Sequence, residues 1–376
     1  MNALPTPLDV GHALPIDTYD QELDTPAMLV DLDIVENNID RMAAFASRNG
    51  MALRPHVKTH KCVAMAQRQL DAGACGVTVA TVGEAEVMLR GGIEDVLVAY
   101  PIVGGRKFDR LMPLLDMGMV TLVADSLTVV ESYRDLASKS NNELRVIIEV
   151  DTGMHRVGVD PAAVPDLAQA IENSTGLIFT GILTHAGHAH DTSTQLGIEQ
   201  IARDEANIMG ALREDLETNG FEGFCVSGGS TLTTQYLSSK DGFTEVRPGT
   251  YIYNDLRTLA CWSCTADALA ATMLSTVVSV DGSRVTIDAG SKTITTTTDP
   301  VYGRGHIVNR PDSSFGRLSE EHGVLDVPAS DLKVGDRVQI LPIHVCVWSD
   351  LQAEIYGSRG GQVVERIEVG AMRHSI

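Results

Sequence analysis

Two observations predict an α/β chain built as a (β/α)8 barrel followed by a mainly antiparallel β domain. First, short apolar runs at 27–31, 53–57, 76–80, 95–100, 120–124, 144–151, 178–185 and 223–227 alternate with amphipathic stretches at 34–49, 63–72, 83–90, 106–116 and 128–138. Continuous apolar strands separated by helices indicate parallel strands buried on both faces. About eight such units in under about 250 residues match a (β/α)8 barrel. A doubly wound sheet competes with it, but no Gly-x-Gly-x-x-Gly follows the first run. Second, the character changes after residue 265. The runs 273–280, 284–289, 337–341 and 363–369 are β-rich and separated by turn signals such as Asp281-Gly282 and Gly335-Asp336, with no helix-length stretch between them. The expected domains are therefore a barrel over 25–262 and a β domain over 263–376, which the N-terminal segment 1–24 also joins.

The barrel reading carries its own check, because barrel active sites lie at the C-terminal ends of the strands. Ionisable residues gather at those ends: Lys58 after the second run, Asp151 and Arg156 after the sixth, His185 and His188 after the seventh. Gly228-Gly229-Ser230-Thr231 follow the eighth.

Bulk properties narrow the function classes. The 376 residues carry a formal net charge of -21, with 44% hydrophobic and 21% charged residues, an ordinary globular composition. Such acidity argues against nucleic acid and anionic membrane surfaces as partners. No apolar run approaches a membrane span, and the first residues lack a basic start with an apolar core, which gives a cytoplasmic expectation. Six scattered cysteines suggest reduced thiols. Cys261-Trp262-Ser263-Cys264 has the spacing of a redox or zinc pair, but no second pair follows, so buried structural thiols are expected there.

The segment Arg54-Pro55-His56-Val57-Lys58-Thr59-His60-Lys61 is the most informative stretch. Pro55 holds Arg54 extended. A lysine at a strand's end can point into a barrel mouth, where burial lowers its proton affinity and allows a Schiff base. The competing reading is a solvated basic loop. A loop of the type Ser227–Thr231 can cradle a phosphate, and with a Schiff-base lysine on the same rim it suggests pyridoxal phosphate. Arg156, just past the strand that ends in Glu149-Val150-Asp151, either holds the cofactor's phenolate oxygen or pairs with Asp151. In His344-Val345-Cys346, strand geometry would put imidazole and thiolate on one side, able to share a divalent ion; core packing is the alternative. Ser319–Gly323 adds His322 and two carboxylates to the same region.

Taken together, Arg54–Lys61, Val150–Val159, Thr184-His185-Ala186-Gly187-His188, Gly229-Ser230-Thr231, Ser319–Gly323 and His344-Val345-Cys346 resemble the D-threonine aldolase / D-serine dehydratase family. These are fold type III pyridoxal-phosphate enzymes related to alanine racemase, and the resemblance covers most of the chain. It implies a cofactor-binding barrel, a C-terminal β domain, a divalent metal (Mn2+, Mg2+ or Zn2+) and a homodimer. Lys58 would be the Schiff-base lysine and Arg156 the phenolate partner. His185, Gly229, Ser230, Thr231 and Tyr251 would contact the cofactor, and His56 would shuttle a proton or touch substrate. His344 and Cys346 would hold the metal. Val246-Arg247-Pro248-Gly249 is similar to alanine racemase, which implies either a contact from Arg247 to the pyridine nitrogen or a structural role. Trp348 stands where the family commonly has asparagine and is expected to reshape the pocket.

The resemblance implies retro-aldol cleavage of a small β-hydroxy-D-amino acid to glycine and an aldehyde. The alternative is a dehydratase of the D-serine or 3-hydroxyaspartate type, giving a keto acid and ammonia; the His-x-Cys pair belongs to that branch. A racemase is the second alternative. A non-catalytic cofactor carrier would be a barrel alone, which the long β-rich tail opposes.

Overall fold

The computed structural model describes residues 23–376 except 141, 193, 300, 301, 311, 329 and 330. Most of the segment 1–24 thus lies outside the described residues. The chain forms two compact units. One comprises the described residues through Asp40, Thr59–Ala64 and Thr250–Arg373; the other comprises Arg41–Lys58, Met65–Gly249 and His374–Ile376.

The second unit is the barrel. Its strands are β2 (Ala52–Leu53), β3 (Val77–Val79), β4 (Asp95–Pro101), β5 (Met119–Ala124), β6 (Leu144–Glu149), β7 (Leu177–Leu183), β8 (Cys225–Gly228) and β9 (Glu245–Val246). They pair in parallel in the order β2-β9-β8-β7-β6-β5-β4-β3. A parallel bridge from His56 to Thr78, with Thr78 N–H donating to the Pro55 carbonyl at 2.8 Å, brings the two edges together. Leu97, Val123, Ile147 and Leu183, one from each of β4 to β7, form a buried layer inside.

The strand expectations need two corrections. The run at 27–31 is β1 (Ala27–Asp31), and it pairs antiparallel with β10 (Ala271–Asp281) and parallel with β16 (Glu354–Arg359), outside the barrel. An apolar run buried on both faces looks the same in either sheet, so periodicity cannot place it. The eighth barrel strand is instead the two-residue β9, and the run at 223–227 supplies the seventh.

Amphipathic helices follow most strands: α1 (Leu32–Arg48), α2 (Val63–Asp71), α3 (Val82–Arg90), α4 (Gly105–Leu111), α5 (Leu127–Ala137), α6 (Val164–Glu172) and α7 (Gln195–Thr218). Their starts are written in the sequence. Thr81 caps α3 by accepting from Glu84 N–H at 3.0 Å, while the Glu84 carboxylate accepts from Ala80 N–H at 2.7 Å. Thr194 caps α7 in the same way, accepting from Gly197 N–H at 3.1 Å. No helix among the described residues is long and apolar enough to cross a membrane.

The first unit is the β domain. Besides β1, β10 and β16 it contains β11 (Arg284–Ile287), β12 (Gly305–Ile307), β13 (Ser314–Leu318), β14 (Gly323–Asp326), β15 (Arg337–Pro342) and β17 (Gln362–Glu368). Every pairing in it is antiparallel except β1 with β16. Two short helices, α8 (Leu256–Ala260) and α9 (Val345–Asp350), interrupt the strands.

Candidate active site

A cavity of about 520 Å³ opens at the C-terminal end of the barrel. That volume is ordinary for a small-molecule site, roughly 300–1,000 Å³. Lys58 and His56 reach it from beyond β2, where Val57–Thr59 turns in a short 3-10 helix. Tyr100 and Pro101 come from the end of β4, Asp125 from beyond β5, Glu149 and Arg156 from β6 and its loop, His185 from beyond β7, and Arg247 from beyond β9. Lys58, His56, Arg156 and His185 are therefore gathered as the sequence led one to expect.

The electrostatics follow from burial. His56 and His185 are both held far below the ordinary imidazole range, first by burial and then by the Lys58 charge. Both rings are thereby biased toward their neutral forms. Glu149 is pushed up by burial, with Arg156 and Arg247 opposing the shift. Its Oε2 atom is buried without a hydrogen-bond partner among the described residues.

The Arg156–Asp151 pair considered from sequence is not formed. Asp151 accepts from the backbone N–H groups of Gly153 and His155, and its Oδ2 lies 2.8 Å from His155 Nδ1. Arg156 approaches Glu149 at 3.8 Å and stays about half exposed, with its side chain on the cavity wall.

Arg247 was legible only as a resemblance, yet it is the most enclosed cation here. Its guanidinium donates to the Thr184 carbonyl at 2.6 Å and to the Ser227 hydroxyl. Ser227 donates onward to Glu245 at 2.6 Å, and Glu245 accepts from Arg54 Nε at 2.7 Å. Arg54 completes the chain with two bonds to Asp95, at 2.6 and 3.1 Å. The arginine that opens the basic octapeptide thus faces the barrel interior, where it is paired with carboxylates rather than solvated. Nothing in the local sequence announces that network, because its members come from four strands.

Gly229, Ser230 and Thr231 follow β8 on the same rim and are not lining residues of the cavity. Gly229 has φ +75, a conformation that favours glycine, and a Cβ there would sit 2.6 Å from Thr234 Oγ1. Its N–H donates to Glu205 Oε1 at 2.8 Å, and Ser230 N–H donates to Thr233 Oγ1 at 2.9 Å. The Thr234 hydroxyl is buried beside this loop with no hydrogen-bond partner among the described residues. A buried hydroxyl in need of an acceptor, a loop shaped by glycine and a lysine amine lining the cavity on one rim fit an aldehyde cofactor that carries a phosphate. Tyr251 belongs to the first unit and is buried there.

In the first unit, His344 and Cys346 do meet, but not as strand neighbours. His344 is the N-cap of α9 and Cys346 lies in its first turn. Burial would raise the Cys346 thiol, yet its hydrogen bond with His344 brings it below its ordinary value. Burial would likewise lower His344, and the same bond carries it above. Cys346 Sγ is also 3.3 Å from the hydroxyl of Thr59, the residue after Lys58. Nearby, Asp255 closes a capping box on α8 and accepts from Val345 N–H at 3.1 Å. Imidazole and acidified thiol are suitable donors for a borderline-soft divalent ion. No group of three or more His, Cys, Asp or Glu side chains arranged for a metal occurs among the described residues, so water or substrate would complete the shell.

Other candidates are placed away from such chemistry. Glu320 and Glu321 sit on the surface, paired with Lys292 at 2.9 and 2.7 Å. Trp348 is fully buried in α9. Cys261 and Cys264 are in no disulfide among the described residues; Cys264 packs against the Leu256–Leu259–Leu341 cluster, and burial pushes Cys261 up to about 11.

Comparison with known proteins agrees with this architecture. The family description "Alanine racemase, N-terminal domain" matches residues 30–256, and "Putative serine dehydratase domain" matches 270–358. A D-threo-3-hydroxyaspartate dehydratase of Delftia sp. (strain HT23) is 33% identical over 355 residues, covering 86% of this chain and 91% of that protein. The crystal structure of D-threonine aldolase from Filomicrobium marinum superposes with TM-score 0.87 at 28% identity, covering 94% of this chain and 96% of the other. A cysteine-to-alanine mutant of D-threo-3-hydroxyaspartate dehydratase, in its metal-free form, gives TM-score 0.86 at 29% identity, covering 92% and 97%. The chain belongs to the D-threonine aldolase / D-serine dehydratase family, on the alanine racemase fold. Its named relatives are lyases, some aldolases and some dehydratases.

Proposed function

We propose that this chain is a pyridoxal-phosphate-dependent, metal-activated lyase that cleaves β-hydroxy-D-amino acids by a retro-aldol reaction. The observation that carries the reading is the convergence of Lys58 with two imidazoles, His56 and His185, on the wall of one cavity. When bound, pyridoxal phosphate supplies an electron sink for the α-carbon, and a divalent ion on His344 and Cys346 supplies a Lewis acid for the β-hydroxyl.

The chain's own groups do the rest. Lys58 Nζ would hold the cofactor's aldehyde carbon. Arg156 and Arg247 would set the charge around the ring, and Gly229, Ser230, Thr231 and the Thr234 hydroxyl would hold its phosphate. Tyr251 stays with this cofactor set on the family resemblance alone. A neutral imidazole of His56 or His185 takes the hydroxyl proton as the Cα–Cβ bond breaks, releasing aldehyde and leaving glycine after reprotonation at the α-carbon.

Cys346 favours a second reading. The relative at 33% identity is a dehydratase. With the base acting at the α-proton instead, through Lys58, the same site would expel hydroxide and give a keto acid and ammonia.

Incubation with D-threonine, cofactor and manganese, with and without chelator, separates the two. Retro-aldol chemistry yields glycine and acetaldehyde, lost on chelation. Ammonia with 2-oxobutyrate would replace it by the dehydratase, and full activity in chelator would remove the metal from the mechanism.

A further inference from the structure

We propose that the N-terminal mouth of the barrel, the end opposite Lys58, binds a small monocarboxylate. The bottom of such a barrel is ordinarily packed for stability. Here it opens on a cavity of about 480 Å³ walled by Arg145, Arg213, Glu217, Phe224, Thr180 and Thr244. Arg145 lies near the start of β6. Side chains alternate along a strand, so Arg145 shares the inward face with Ile147, which packs in the barrel layer, and with Glu149, which lines the upper cavity.

The Arg145 guanidinium is half-buried. Its Nε is enclosed and finds no acceptor, and no carboxylate pairs with it, among the described residues. Leaving the enclosed Nε–H of a half-buried cation without an acceptor is costly, so the position favours an anion.

The walls specify which anion. The Thr180 and Thr244 hydroxyls already donate to the carbonyls of Val146 and Val226, at 3.0 and 3.3 Å, leaving the guanidiniums as the donors. Arg213 uses Nε on Glu217 at 2.8 Å and Nη1 on the Gly242 carbonyl at 3.0 Å, which fixes its plane on the wall. Two cations set against the Glu217 carboxylate leave room for one negative charge, which suits a carboxylate and disfavours a phosphate dianion. The chain's net charge of -21 offers no general attraction for anions, so the preference is local. Phe224 continues an aromatic cluster with Phe179 at 5.9 Å between ring centroids, giving the ligand's body an apolar face. An aryl carboxylate should therefore bind more tightly than acetate.

Calorimetric titration of the full-length protein with benzoate, acetate and inorganic phosphate at low ionic strength tests this. Saturable benzoate binding is expected, tighter than acetate and phosphate, and weakened about tenfold or more by Arg145→Met or Arg213→Met. The Arg213 variant, changed on the half-exposed α7 surface, keeps the test valid if Arg145→Met fails to fold. Turnover of the lyase substrate should be unaffected by either. Undetectable binding, or equal benzoate affinity in wild type and a folded variant, would overturn the proposal, as would phosphate binding more tightly than benzoate.

Discussion

A carboxyl group as deeply enclosed as Glu205 must keep its proton or find donors. Burial pushes it up to about 7, from the ordinary 4.5, although Gly229 N–H donates to it. Raised folded-state affinity for a proton means that its contribution to stability is fully present below the unfolded value. It is lost as pH rises from about 4.5 to about 7. The loss is on the order of 3 kcal/mol. Glu205→Gln should flatten this decline, so that urea midpoints of wild type and variant converge toward pH 5 and separate at pH 8, with the variant the more stable. An unchanged pH slope in the variant would place the titration elsewhere. Sequence could not single out Glu205, because a glutamate inside an amphipathic helix reads as a surface residue. Lys58 and His56 were legible because Pro55 and the strand order fixed where that segment must end.

Among the elements, the loop after β8 depends on one backbone conformation. Gly229→Ala must adopt a left-handed φ and place a methyl group against Thr234 Oγ1. A cost of about 1–2 kcal/mol in that conformation should weaken cofactor binding by roughly tenfold while leaving far-UV circular dichroism unchanged. Fluorescence titration of the apoprotein with pyridoxal phosphate would show it, and wild-type affinity would remove the loop from the phosphate site. The same scale explains what sequence reading missed. Five helices and most barrel strands were plain from periodicity. β9 has only two residues, below any pattern, and β1 carries the apolar signature of a barrel strand while pairing in the other sheet. The His344–Cys346 pair was found for the wrong reason: a cap and the first turn of a helix bring the side chains together, where a strand was assumed.

Across the molecule, an acidic chain concentrates guanidiniums inside its barrel. Arg54 and Arg247 are tied into one run of hydrogen bonds with Asp95, Glu245 and Ser227, and Arg247 emerges at the cavity that holds Lys58. Partnered in this way, the buried charges are tolerable and hold the rim in a fixed geometry. The family resemblance supplied the cofactor from sequence; the lysine and two imidazoles gathered on one cavity, and the Thr234 hydroxyl without a partner among the described residues, supply the physical grounds for it. The most direct test is borohydride reduction of the protein loaded with pyridoxal phosphate, followed by peptide mapping. The pyridoxyl group is expected on Lys58, with no label in Lys58→Ala; labelling of another lysine at full occupancy would contradict the site.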